Sequence, residues 1–236
     1  MSLNRILTTL LATSAMLVGS LLVGPIAAQT RDKNGAECGS GDSNLKISAC
    51  TALIESGGET KPALVVAFVN RGNAYDDKGF IDAAIQDYDR AIKLDPNDAD
   101  AFYYRGIAYE QKHKLDQAIK DYSESIRLDP KSAKAFSNRG HAFRHKGEYD
   151  RAIHDYDESL KLDPNSARTL RLRGFAYDGK GQYGQAIADY SRAIKLDPNE
   201  ALAFYLRGLA RQRTGDQAGG DADIEKAKLL DPSVGK

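Results

Sequence analysis

His141 and His145 stand four residues apart, which on a helix puts both imidazoles on one face. Two ligands do not make a metal site; Glu110 and Asp178 would have to complete it from neighbouring segments, and a pair of solvated histidines is the plainer reading. The run from Gly174 to Gly181, containing Gly179 and Lys180, has the spacing of a phosphate-binding loop. It lacks the closing Ser or Thr that would hold magnesium, and no strand pattern leads into it. Neither Gly-x-Ser-x-Gly nor His-Glu-x-x-His occurs, and every carboxylate pair belongs to a pattern that recurs along the chain. A catalytic site has to break such a pattern. The residues therefore predict a protein that is not an enzyme, with no cofactor and no resident metal.

Composition narrows the partner. Lys plus Arg and Asp plus Glu both number 33 in the 236 residues, so the chain lacks the basic excess of a dedicated nucleic-acid binder. Arg5 is followed by an apolar stretch from Ile6 to Val23, then Gly24, Pro25 and Ile26-Ala27-Ala28. A positive start, an apolar middle and small residues at the end predict a secretory signal peptide over residues 1–28, cleaved after Ala28; an uncleaved membrane anchor is the rival. Either reading predicts a periplasmic or secreted location, and after cleavage no membrane contact.

The rest of the chain is periodic. Asp-Pro occurs at Asp95, Asp129, Asp163, Asp197 and Asp231, in steps of 34 residues. Units beginning at Val65, Ala99, Ala133, Ala167 and Ala201 share further positions. The eighth residue is always Gly; the twentieth is Ala84, Ala118, Ala152, Ala186 and then Gly220. The twenty-fourth is Tyr88, Tyr122, Tyr156, Tyr190 and then Ile224. Position four is Phe68, Phe102, Phe136, Leu170 and Phe204; position eleven is Tyr75, Tyr109, Phe143, Tyr177 and then Arg211. Over residues 65–234 this pattern resembles the tetratricopeptide (TPR) family. The resemblance implies an all-α, right-handed solenoid of five helical hairpins over residues 62–236.

Local chemistry agrees with two helices per unit. Proline pushes the residue before it out of the α region, so each Asp-Pro ends a helix. Asp98, Ser132 and Ser166 are placed to cap the next one. A glycine inside a helix costs about 1 kcal/mol relative to alanine, and its recurrence predicts close approach of the paired helices. Arg at position seven and Asp at position twenty-three recur in every unit, from Arg71 and Asp87 to Arg207 and Asp223. They predict a structural ladder of ion pairs. The fifth unit departs with Gly219-Gly220, Arg211 and Ile224, and is expected to be the least stable unless something covers it.

Ahead of the repeats, residues 29–61 form a separate segment. Leu45, Ala49, Leu53 and Ile54 fall near helical spacing and predict one short helix over Leu45–Glu55 that covers the first unit. Cys50 lies in it and Cys38 precedes it in a Gly-Ser-rich stretch. In an oxidising compartment the two are expected to pair, with an intermolecular bond or free thiols as the alternative.

The family resemblance places a peptide-binding groove along the first helix of each hairpin. Carried over residue by residue, it implies a groove of Asn73, Asp76, Asp77, Asp100, Tyr103, Glu110, Lys134, Ser137, His141, Arg144, Arg168, Arg171, Phe175 and Tyr205. That groove is acidic at one end and basic in the middle. A subclass that grips a C-terminal carboxylate is matched only by Asn73 and Lys134; Val69, Tyr104 and Asn138 depart from it. The expected function is a non-enzymatic scaffold or adaptor for a peptide or protein. The alternatives are a self-associating protein dimerising through the uncapped last hairpin, and a metal or small-ligand binder at His141 and His145.

Overall fold

The computed structural model describes residues 25–236, with side chains from Asp32 onward. The apolar stretch from Ile6 to Val23, and with it most of the expected signal peptide, lies outside the described residues. The described chain is all α: α1 (Pro25–Cys38), α2 (Ser43–Glu55), α3 (Lys61–Asp77), α4 (Ile81–Leu94), α5 (Ala99–Gln111), α6 (Leu115–Leu128), α7 (Ala133–His145), α8 (Tyr149–Leu162), α9 (Ala167–Gly179), α10 (Tyr183–Leu196), α11 (Ala201–Arg213) and α12 (Gln217–Leu230). Each helix packs on the next in sequence, and α3, α5, α7, α9 and α11 also touch one another in series. This is a solenoid whose first helices share one face.

The helices stop and start where the sequence says they should. α4, α6, α8, α10 and α12 each end at the Leu before Asp-Pro or Asp-Pro-like turns beginning at Asp95, Asp129, Asp163, Asp197 and Asp231. Each of those Asp carboxylates accepts from the backbone N–H two residues on, which holds the turn. Asp98, Ser132 and Ser166 then cap α5, α7 and α9 through the amides of Ala101, Ala135 and Thr169. Within hairpins the chain turns through a positive φ at Gly79, Gly147, Gly181 and Gly215, and at His113 in the second hairpin. A β-carbon makes that conformation costly, so His113 departs from a rule its four counterparts obey.

The recurring glycine of α3, α5, α7 and α9 has a more specific role than close helix approach. A β-carbon on Gly72, Gly106, Gly140 or Gly174 would lie 2.6–2.9 Å from the Cε1 atom of Tyr88, Tyr122, Tyr156 or Tyr190. The tyrosine ring from the second helix lies across the glycine, and all four rings are almost fully buried. Burying one such ring is worth on the order of 4 kcal/mol gross, which outweighs the roughly 1 kcal/mol helix cost of the glycine under it.

The ladder forms in all five hairpins. Arg71, Arg105, Arg139, Arg173 and Arg207 each donate from Nε and one terminal nitrogen to both oxygens of Asp87, Asp121, Asp155, Asp189 or Asp223, at 2.7–2.8 Å. The remaining terminal nitrogen reaches back to the preceding hairpin, at Asp89, Ser123, Asp157 or Ser191. One guanidinium thus ties three helices, and the bidentate geometry fixes their angles.

The N-terminal segment holds two helices where the sequence suggested one. α1 runs through the expected cleavage point and ends at Cys38, so that cysteine closes a helix rather than sitting in an irregular stretch. Cys38 and Cys50 form a disulfide, and both side chains are buried with Ala49 and Ala67. α2 takes the place of a preceding second helix: Thr51 accepts from Arg71, Ser43 donates to Asp77, and Lys78 donates to Asn44. α3 starts at Lys61, ahead of the expected Val65, because Thr60 caps it through the amide of Ala63 and Pro62 fits its first turn.

At the other end the last hairpin is partly covered by its own tail. The backbone at Gly235 lies against the ring of Tyr205.

Candidate functional site

The shared face of α5, α7, α9 and α11 carries two cavities. The larger, about 560 Å³, lies between α5, α7 and the start of α9, and its lining includes Tyr103, Glu110, His113, Asn138, His141 and Arg168. The second, about 290 Å³, is lined by His141, Arg144, Arg168, Arg171, Leu172, Phe175, Leu202 and Leu206. His141 and Arg168 line both, so the two adjoin along one trough-like face across four hairpins.

Of the expected groove residues, Tyr103, Glu110, His141, Arg144, Arg168, Arg171 and Phe175 meet in this trough. Others do not. Ser137 is buried, and its hydroxyl shares a hydrogen bond with Thr169 at 3.2 Å, so it belongs to helix packing. Tyr103 presents its edge to the larger cavity but is itself buried, with its hydroxyl accepting from Asn138 at 3.1 Å. Asn73 accepts from Tyr88, Asp77 from Ser43 and Asp76 from Gln111. The acidic end is thus largely engaged with its own chain, and burial raises the Asp76 carboxyl above its usual range despite Gln111. Asp100 pairs with Lys134 at 3.1 Å. The Lys134 ammonium also lies 4.5 Å from the Tyr103 ring centre. Asn73 and Lys134, the two residues shared with the carboxylate-gripping subclass, are therefore both occupied. Tyr205 is half-buried beneath the C-terminal tail.

At the centre of the trough runs a chain of polar contacts. Tyr122 donates to Glu110 at 2.8 Å, and Glu110 contacts Nδ1 of His141. Nε2 of His141 lies 3.2 Å from Nε2 of His145, which accepts from Arg144 at 2.8 Å. Burial works to raise the Glu110 carboxyl, but the hydrogen bonds from His141 and Tyr122 hold it below its ordinary value. His145 is pushed down by burial, then by the charges of Arg144 and His141. His145 is thereby favoured as the neutral acceptor.

The geometry lends the metal alternative no support. Among the described residues no three His, Cys, Asp or Glu side chains are arranged to hold a metal ion. Asp178 is absent from the lining of either cavity, while Glu110 and the two imidazoles are spent on one another. The run from Gly174 to Gly179 is helical, the closing part of α9, and forms no phosphate loop.

Two lining features escaped the sequence reading. One is position six of the third, fourth and fifth units: Asn138, Leu172 and Leu206 line the trough. The other is His113, whose signal was legible, since it stands where the other four units have glycine. A non-glycine residue held at φ 56° in the wall of the larger of these two cavities is the kind of strained position that collects at functional sites.

A family model described as TPR repeat matches residues 72–113 and 179–215. One described as tetratricopeptide repeat matches 99–132 and 133–166, and together the two cover more than half the chain. No curated protein matches the sequence significantly. Among solved structures, one of MamA is 27% identical over 68% of this chain and 94% of its own, with a TM-score of 0.64. YrrB, described as a TPR protein with an unusual peptide-binding site, is 21% identical over 79% of this chain and 94% of its own, with a TM-score of 0.65. A tetratricopeptide repeat protein from Parabacteroides merdae is 19% identical over 86% of this chain and 79% of its own, with a TM-score of 0.72.

Proposed function

The chain belongs to the tetratricopeptide-repeat family, and from that we propose that it is a non-enzymatic adaptor holding a peptide or protein partner in the trough across α5, α7, α9 and α11. The observation that carries this reading is the adjacency of the two cavities, which share His141 and Arg168, on the face common to the first helices. A concave site with apolar walls and a few convergent polar groups is what a bound segment needs. Affinity capture with wild type and with an Arg144→Ala, Arg171→Ala, Phe175→Ala variant tests it. A partner held by wild type and lost by the folded variant is the expected outcome; a partner held equally by both places binding elsewhere.

The adaptor is proposed to act outside the cytoplasm. The N-terminal pattern of residues 1–28 and the Cys38–Cys50 disulfide support export. A mature N-terminus at Gln29 in the exported fraction is expected, and full-length chain confined to the cytoplasm would overturn it. Self-association through the last hairpin has less support. Leu229 is the one large apolar side chain of α12 that is strongly exposed, and a lone exposed leucine is ordinary surface.

A further inference from the structure

We propose that the smaller cavity selects an internal acidic segment of the partner, one that sets Asp or Glu carboxylates beside a bulky apolar side chain. This rests on the trough being the binding site. The argument is one of charges left over. His141 is matched by Glu110, and Arg171 by Glu200. Arg144 and Arg168 line the same cavity, and among the described residues neither has a carboxylate within ion-pair distance. Arg168 donates only to the amide oxygen of Asn138, at 3.2 Å. Arg144 donates to the His145 imidazole, and its guanidinium carbon lies 4.6 Å from the centre of the Phe175 ring. A guanidinium held on an aromatic face, with no carboxylate already on it, is pre-organised for one.

Most arginines elsewhere in the repeats are already paired, as in the ladder and in Arg127 with Glu124 or Arg151 with Glu148. Two unmatched guanidiniums in one cavity are thus a local exception in a chain of zero formal net charge. The floor is equally specific. Phe175 and Leu202 are exposed and, with Leu172 and Leu206, offer an apolar seat beside the two cations. Two cations call for two carboxylates, which acidic side chains of one segment supply and a single chain terminus does not.

The test uses the full mature chain and fluorescent, C-terminally amidated peptides that alternate glutamate with leucine and phenylalanine. Their glutamine counterparts and a lysine counterpart serve as controls, followed by anisotropy. The glutamate peptide is expected to bind at least about tenfold more tightly than the glutamine one, with the gap closing as salt is raised. Arg144→Gln and Arg168→Gln, each checked for fold by circular dichroism, should each erase most of that preference. Equal binding of glutamate and glutamine peptides by wild type overturns the inference without recourse to any variant. If the glutamine or lysine peptide binds best and Phe175→Ala abolishes it, the trough reading stands and the acidic selection falls. If no peptide binds, both fall. If only peptides with a free C-terminal carboxylate bind, the site reads a chain end and the inference is wrong.

Discussion

The first four hairpins and the fifth share one ion pair but fill the space between their helices differently. In the first four, a tyrosine ring lies over the glycine of the first helix. In the fifth, Ile224 replaces the tyrosine and Gly208 faces Gly220, with a β-carbon on either one falling 2.8 Å from the carbonyl oxygen of the other. The backbones themselves meet there. Arg211, standing where the other hairpins carry an aromatic, adds a bond to Asp223 at 2.8 Å. The same glycine thus serves two packings, ring on backbone and backbone on backbone. What the family pattern conserves within this chain is the absence of a side chain rather than any one contact.

The largest expected effect separates the two packings directly. Tyr156→Ala removes a fully buried ring from the third hairpin and should cost about 4 kcal/mol in urea unfolding. Ile224→Ala in the fifth removes a half-buried side chain and should cost about half as much, roughly 2 kcal/mol. Equal losses would erase the distinction. Next in size, Gly140→Ala should cost about 2 kcal/mol by overpacking against the ring. Combining it with Tyr156→Ala should recover most of that cost, since the two residues are in contact. Gly208→Ala should show no such recovery when Ile224 is truncated, because its obstacle includes a backbone oxygen at 2.8 Å, closer than the 3.1 Å one beside Gly140. Recovery in both pairs would mean that the fifth hairpin packs like the others.

Smaller differences concern opening rather than global unfolding. Gly219 and Gly220 together weaken α12 by about 2 kcal/mol of helix propensity, so its amides should exchange hydrogen sooner than those of α8. Exchange as slow in α12 as in α8 would show that the tail over Tyr205 compensates. The smallest expected effect belongs to the trough, which the fifth hairpin only borders. His145 has its proton affinity lowered in the fold, so on acidification below about pH 6.5 the unfolded chain takes up that proton first. The stability present above that range is lost as pH falls toward the folded value of His145. Glu110, lowered by His141 and Tyr122, adds a second loss further into acid. The facing groups are His113, His141, Arg144, Glu110 and Tyr122, and the melting temperature should fall between about pH 7 and pH 5. His145→Gln should flatten the first part of that fall; an unchanged profile in the variant would assign the effect elsewhere.

Much of this architecture is legible in the residues. The Asp-Pro stops, the caps at Asp98, Ser132 and Ser166, and the pairs from Arg71–Asp87 to Arg207–Asp223 all follow from spacing within one unit. The trough was legible only in part. Position five proved open at Arg171 but buried at Ser137, and position two was free at Arg168 but neutralised at Asp100. Those outcomes depend on which neighbour stands across from each side chain, and that neighbour belongs to a different unit. α1 was missed because its sequence, Pro25–Cys38, has no apolar face of its own to announce a helix; among its described side chains Cys38 is the one that is strongly buried.

The sequence by itself determined the period, the helix ends and the ion-pair ladder. In a solenoid these contacts join residues a fixed, short distance apart along the chain, so repetition in sequence becomes repetition in space. Only the tertiary structure decided which charges cancel. Glu110 meets His141 and Glu200 meets Arg171 across unit boundaries, while Arg144 and Arg168 meet no carboxylate among the described residues. An ion pair depends on a few ångströms between side chains of different helices, a quantity no spacing along the chain can fix.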